Sequence, residues 1–407
     1  MIPRHIAPAL ISAAATSPVV TLTGPRQSGK TTLLQATFPD HRYQSLEAPD
    51  TRAWARSDPR GFLAQADRMV LDEVQRVPDL LSYIQVLVDD DPAPGRFALS
   101  GSLNLLLLES VSQTLAGRTA RLTLHPLSMA ELRGQEPLDP ETLDRAGRRP
   151  TTPPTAKPSE LWETLVRGFY PAIHARGAPA PEWYEDYFVT YVERDLREAL
   201  RVSDPAAFET FVRLAAGRTA TELNLSALAN DAAVSQQTAR RWLTALEIGY
   251  LATTLRPHHR NFAKRLRRRP RLHFLDSGLV CSLLGIRDAA TLETHPLRGA
   301  VFESFVVSEL VKAFAARRRR PPLFFWRDSR GREIDVLIEL AGRLVPVEVK
   351  SGLTVRPSAL RTLEWWTGIP TNPTTGGVLV HGGAEDFMMK GFRIAPWFLS
   401  RARSGRH

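Results

Sequence analysis

Gly24-Pro25-Arg26-Gln27-Ser28-Gly29-Lys30-Thr31 has the spacing G-x-x-x-x-G-K-[ST], a set of residue types suited to holding a chain of phosphates. Its two glycines let the backbone curl until consecutive N–H groups point at phosphate oxygens. Lys30 is expected to reach the β- and γ-phosphates, and the Thr31 hydroxyl to coordinate Mg²⁺. Thr32 continues into a helix whose N-terminus adds partial positive charge. Gly24, Pro25, Arg26, Gln27, Ser28, Gly29, Lys30, Thr31 and Thr32 are therefore the expected ATP-binding residues. A second group, Met69-Val70-Leu71-Asp72-Glu73, delivers two carboxylates after three apolar residues. Asp72 is placed to hold Mg²⁺ through water, and Glu73 to polarise the water that attacks the γ-phosphate. Two acids after a strand are by themselves a common loop start; behind a phosphate loop they read as catalytic.

Two further residues belong with this set. Phe97-Ala98-Leu99-Ser100-Gly101-Ser102 reads as a strand ending in small hydroxyl residues, so Ser100 or Ser102 is expected near the γ-phosphate or the attacking water. Arg118, in Leu115-Ala116-Gly117-Arg118, is a candidate arginine finger, supplied in cis or to a neighbouring subunit of a homo-oligomer. A surface arginine capping a helix is the equal alternative.

The C-terminal third carries a separate constellation. Glu303 lies at the start of a helical stretch, Asp335 in the apolar run Glu333–Ile338, and Glu348 and Lys350 in Val345–Lys350. On a strand, Glu348 and Lys350 share a face, where Asp335 on the next strand can meet them. Asp335 and Glu348 are expected to share Mg²⁺ through oxygen ligands, with Glu303 reaching in from its helix. Lys350 would then orient or help deprotonate a water attacking a phosphodiester.

The elements that must position these residues follow from periodicity. Residues 1–133 alternate strands (Val19–Leu22, Tyr43–Leu46, Met69–Leu71, Arg96–Ser100, Ala120–Leu124) with helices. That alternation predicts an α/β domain, a parallel sheet covered by helices. Residues 134–158 are rich in proline among charged residues and read as a linker or insertion without a packed core. Residues 159–295 read as helical, with Tyr184, Tyr187, Phe188, Tyr191 and Val192 as a core stripe. Within them, 205–255 has the pattern of a winged helix-turn-helix: Phe208–Ala216, Leu225–Ala229, and Gln236–Ile248 capped by Ser235 and ended by Gly249. Thr238, Arg240 and Arg241 near the start of the third helix are candidates for a DNA groove; a protein interface is the rival reading. Residues 296–407 form the small α/β unit bearing the second constellation.

Of 407 residues, 53 are Lys or Arg and 43 Asp or Glu, a net charge of +10. That excess favours an acidic polymer as partner. It concentrates in 256–272 (Arg256, Arg260, Lys264, Arg265, Arg267, Arg268, Arg269 and Arg271) and in Arg317–Arg320, both expected to meet nucleic acid phosphates. His258-His259 has no partner at metal spacing, so no zinc is assigned. The single cysteine, Cys281, sits in an apolar run; it fits a buried thiol and a reducing compartment. No apolar run approaches a membrane span, and Ile6–Thr16 reads as an amphipathic helix rather than a signal peptide. A cytoplasmic protein is expected.

GPRQSGKTTLL, VLDEVQRVPDL, LSGSLNLLL with LAGR, DSGL, GAVFESFVVSEL, FFWRDSRGREIDVLI and VPVEVKSG follow one another across most of the chain. In that order they resemble prokaryotic AAA-type P-loop ATPases with a C-terminal restriction-endonuclease-like domain. The resemblance implies ATP binding through Gly29, Lys30 and Thr31, hydrolysis through Asp72 and Glu73, and a PD-(D/E)xK-type site at Glu303, Asp335, Glu348 and Lys350. Two functions remain open. One is an Mg²⁺-dependent ATPase coupled to a DNA-directed nuclease-like module. The other is a nucleotide-dependent switch acting on protein partners, with a nuclease-like domain that cleaves nothing.

Overall fold

The computed structural model describes residues 2–101, 114–145, 158–190, 204–258, 269–369, 372, 374 and 376–399. Ser102, Tyr191, Val192 and the basic residues between 259 and 268 lie outside them.

The N-terminal sheet is built from short runs of β-branched and aliphatic residues: β1 (Val19–Thr23), β2 (Arg42–Ser45), β3 (Met69–Asp72), β4 (Phe97–Gly101) and β5 (Thr119–Thr123). β1, β3 and β4 are buried along their whole length, as strands covered on both faces must be. The order is β2-β3-β4-β1-β5 and every pairing is parallel. β4 thus separates β1 from β3, so Ser100 stands between the loop after β1 and the acids after β3. Two hydrophobic clusters, one on each face, close the layer.

The rest of the chain is organised around a nine-stranded sheet. Its strands are β6 (Thr221–Glu222), β7 (Ala252–Pro257), β8 (Arg271–Phe274), β9 (Leu323–Arg327), β10 (Glu333–Leu340), β11 (Arg343–Lys350), β12 (Val378–His381), β13 (Phe387–Met389) and β14 (Phe392–Pro396). Three capped helices precede the β7–β8 hairpin. Asp204, Asn224 and Ser235 accept from the backbone N–H groups of Ala207, Ala227 and Thr238, which satisfies donors the helix itself leaves open. β7 then pairs in parallel with β9, so the hairpin is not an independent wing. Residues on both sides of 295 share one sheet and one core running from Met129 to Leu399.

Two readings of composition are corrected by packing. Residues 134–145 are not a free linker: Leu143 is buried, and Arg393 and Arg317 donate to the carbonyls of Leu143 and Leu138. Asp144 meets Arg343 at 2.6 Å. The Arg317–Arg320 run is likewise partly spent inside the molecule, with Arg317 against Asp139 and Arg319 against Glu141. Proline-rich acidic and basic runs far apart in sequence neutralise one another, which neither composition reveals alone. Cys281 is buried, and burial pushes its thiol well above the usual range, which makes it inert.

Candidate functional site

The loop after β1 owes its shape to two glycines. Gly24 has φ +148°, and a Cβ there would stand 2.1 Å from the Leu124 carbonyl oxygen; Gly29 has φ +93°. Neither position tolerates a side chain without strain. Lys30 is buried and donates to the Gly24 and Pro25 carbonyls at 3.0 and 2.8 Å. Burial pulls its pKa down to about 8, against the opposing charges of Glu73 and Asp72. The Thr31 hydroxyl donates to Asp72 Oδ2 at 2.6 Å, so the two residues expected to share Mg²⁺ are neighbours. Tyr43 also donates to Asp72 Oδ2, at 3.0 Å, and Ser100 donates to Asp72 Oδ1. Ser100 is thus fully buried and fixes a carboxylate rather than facing a phosphate. Burial and the Asp72 charge push the Tyr43 phenol up to about 12, which keeps it a donor.

Glu73 has φ +55°, an unusual backbone for glutamate that redirects its side chain at the strand end. The Gln75 amide donates to its carboxylate. Glu73, Lys30, Thr31, Thr32, Arg26, Gln27 and Gly29 all line one cleft of about 550 Å³, within the size range of small-molecule sites.

Three arginines revise the expected picture. Arg118 precedes β5 at the edge where β1 begins, since Val19 pairs with Thr119. The loop leaves the other end of β1, roughly 16 Å away at 3.3 Å per residue. Arg118 is held there by Asp89 at 2.8 Å, so it does not reach its own loop. Arg4, which no spacing marks, grips the loop from outside. Its guanidinium donates to the Ser28 carbonyl at 2.7 Å and the His125 carbonyl at 2.6 Å, and lies 3.2 Å from Glu131. Arg176, with Pro171, Ala172 and Ala175, forms the far wall of the cleft. That wall is the helix Pro171–Ala175, a segment of the module beyond 158. Asp276 anchors it by accepting from Phe169 N–H at 2.9 Å, Leu279 N–H at 3.0 Å and Tyr184 Oη at 2.6 Å.

The C-terminal constellation is assembled as the strand pattern implies. Val336 pairs with Val347, which sets Asp335 beside Glu348, and Asp335 Oδ2 accepts from Val349 N–H at 2.8 Å. Lys350 Nζ lies 2.6 Å from Glu348 and 3.8 Å from Asp335. Glu303 joins from the helix Arg298–Ala315. The unforeseen member is Arg271 on β8. Instead of meeting an external phosphate, it is 4% exposed and reaches Glu303 at 3.0 Å, Glu333 at 2.9 Å and Asp335 at 3.9 Å. Burial raises the pKa values of Glu303 and Glu348, and the Asp335 charge adds to it; burial raises that of Asp335 too. Buried His273 is pushed down to about 3 by desolvation and by Arg271, so its ring is neutral. Among the described residues no group of three or more His, Cys, Asp or Glu is arranged to hold a metal ion. Thr31 and Asp72 thus lie together where Mg²⁺ would be held, while in the second cluster Lys350 pairs with Glu348 and Asp335, and Arg271 with Glu303, Glu333 and Asp335.

Family models divide the chain into three stretches. An AAA domain matches residues 16–133, and two domains of unknown function, DUF8612 and DUF4143, match 158–290 and 298–399. The N-terminal unit is thus an AAA-type P-loop domain with a parallel α/β sheet. Two relatives, the uncharacterized proteins Rv2008c of Mycobacterium tuberculosis and Mb2031c of Mycobacterium bovis, are each 34% identical over 354 residues, 86% of this chain and 73% of theirs. Among solved structures, the Walker-type ATPase PABY2304 of Pyrococcus abyssi is similar with 13% identity and a TM-score of 0.42, over 70% of this chain and 96% of its own. AMPPCP-bound DnaA from Aquifex aeolicus shows 14% identity and a TM-score of 0.28, over 60% and 85%. No helix among the described residues is long and apolar enough to cross a membrane. The chain belongs to the family of the two mycobacterial proteins.

Proposed function

We propose that this family member binds ATP with Mg²⁺ in the cleft above β1 and hydrolyses it, using the nucleotide to set the position of the module beyond residue 158. The observation that carries this reading is the contact of Thr31 with Asp72, with Glu73 and Lys30 in the same cleft. The backbone N–H groups of Gly24–Thr31 and the Lys30 ammonium would hold the β- and γ-phosphates. Thr31 and Asp72 would hold Mg²⁺, which when bound neutralises phosphate charge. Glu73, kept in place by Gln75, would take the proton of the attacking water. Arg176 would add positive charge from across the cleft, so a bound triphosphate would touch both modules. Equilibrium titration of ATP tests the binding half: Lys30→Ala should lose measurable affinity, and an unchanged Kd would overturn the assignment.

For the second module we infer a nucleic-acid role. The helix–strand–helix–helix–strand–strand order of 205–274 is that of a winged helix, and Gln236, Gln237, Arg240 and Thr244 are exposed on one side of its third helix. DNA affinity should fall steeply with salt; a salt-insensitive affinity would count against it. The helix Arg298–Ala315, the β9–β10–β11 meander, the helix Arg361–Thr367 and the parallel strand β12 also follow the restriction-endonuclease-like order, which favours cleavage as a second reading. Arg271 weighs against it, and the reading we adopt is a nucleotide-controlled module that binds DNA without cleaving it. Nicking of plasmid DNA that disappears in Asp335→Ala and Lys350→Ala would reverse that choice.

A further inference from the structure

We propose that the guanidinium of Arg271 is the resident cation for Glu303, Glu333 and Asp335 in the acid cluster that Glu348 completes, and that it keeps divalent metal out of that cluster.

Four observations converge. Arg271 is carried on β8, outside the helix and strands that supply the acids. Its side chain is almost wholly buried and lies within 3.9 Å of three carboxylates. It is backed by the Phe325 ring at 4.8 Å, a stacking arrangement that suits a guanidinium and would do nothing for a hydrated metal. Polar atoms nevertheless remain without partners in the buried cluster: Glu348 Oε2, Arg271 Nε and His273 Nε2. A metal site completed by evolution for a divalent ion would aim its acids at one point. Here the acids are spread along a guanidinium, with Lys350 taking Glu348.

Charge explains the exclusion. Four carboxylates gathered with little water repel one another, and each must be paired or neutral. Arg271 cannot lose its proton, so its charge stays fixed among Glu303, Glu333 and Asp335. A divalent ion bound by Glu303 or Asp335 would lie against that charge. Remove it, and Lys350 alone is left to balance four carboxylates, a net anionic cavity with oxygen donors suited to Mn²⁺ or Mg²⁺. The inference stands apart from the nucleotide reading, since none of these residues lines the ATP cleft.

Mn²⁺ titration of the full chain, without nucleotide, tests it. Wild type and Asp335→Asn should bind the same number of Mn²⁺ ions. Arg271→Gln and Arg271→Met should each gain one further ion, bound at least tenfold more tightly than any wild-type site. The gain should vanish when Asp335→Asn is added, and Arg271→Lys, which keeps a cation, should show none. Cooperative urea unfolding of the same samples reports whether each variant is folded. A wild-type protein that already binds Mn²⁺ in an Asp335-dependent way would overturn the proposal whatever the variants do. So would folded Arg271→Gln and Arg271→Met proteins that gain no ion.

Discussion

At the scale of single residues, the protonation of Lys30 sets a testable limit on nucleotide binding. Its pKa is drawn down to about 8 by burial, so above that pH the free protein loses the charge that a phosphate chain needs. ATP stabilises the charged form, so binding takes up a proton once the free lysine is deprotonated. Affinity should therefore be flat below pH 8 and weaken by up to about tenfold per unit above it. Lys30→Arg, which stays charged, should flatten the profile; a wild-type Kd constant from pH 7 to 10 would contradict this. Arg271 makes the matching prediction for stability. Removing one partner of a buried charge cluster costs about 3–5 kcal/mol, so Arg271→Ala should lose roughly that in urea unfolding, and a loss under ~1 kcal/mol would show that the contacts are idle. Residues at this scale were legible where chemistry is written in local spacing, as at Gly24–Thr31 and Asp72-Glu73. Arg4, Arg176 and Arg271 were not, because each acts on residues far away in the chain and has no spacing to announce it. For Arg118 the parallel register removes only the cis option, since it stands at the end of β1 away from its own loop; a finger for a neighbouring subunit and a surface arginine stay open.

At the scale of elements, two connections join the nucleotide loop to the rest. Tyr250, at the turn into β7, meets Thr23 Oγ1 at 2.7 Å immediately before Gly24. Lys312 donates to the Leu127 carbonyl and to Glu309 at 2.9 Å each, while Glu309 accepts from Met129 N–H at 2.8 Å. The hairpin that bears Arg271 thus starts against the strand that bears the P-loop. ATP should change hydrogen-exchange protection of β7 and β8, and Tyr250→Phe should shrink that change while leaving ATP affinity within about twofold. Equal changes in both proteins would remove Tyr250 from the coupling. The helix Pro171–Ala175 depends in turn on Asp276. Asp276→Ala strands three buried donors at about 1–3 kcal/mol each, so it should cost at least ~3 kcal/mol in denaturant unfolding and also weaken ATP binding through the displaced wall. The strands of the N-terminal sheet and the capped helices of 205–248 were readable to within a residue or two, whereas of the helix Arg298–Ala315 only Val301 to Val311 was legible, and the strands from 378 onward were not. Nor was the 134–145 segment, since Asp144 finds its arginine on β11 and Asp139 finds one past the helix Arg298–Ala315, while the Leu143 carbonyl accepts from Arg393 on β14.

At the scale of the whole molecule, the chain is two bodies rather than three. The AAA-type sheet has its own two clusters, whereas beyond Met129 one large core spans both sides of residue 295 under a nine-stranded sheet, and a smaller cluster from Ile334 to Ile394 packs within the C-terminal part. A boundary at 295 would cut through the pairing of β7 with β9 and expose both halves of that core. A fragment ending at 295 should therefore aggregate or lack cooperative unfolding, while residues 129–407 should fold; a monomeric, cooperatively unfolding 158–295 fragment would contradict the shared core. The composition of the basic segment could not reveal this, because a free hairpin and a pair of interior strands look alike until their partner strands are known. The central claim is that this two-body molecule is driven by ATP hydrolysis at Lys30, Thr31, Asp72 and Glu73. The most direct measurement is steady-state phosphate release from ATP and Mg²⁺ by wild type and Glu73→Gln at saturating nucleotide. The account predicts that Glu73→Gln binds ATP as tightly as wild type but turns it over about 10²–10⁴-fold more slowly; equal turnover by the two proteins would contradict it.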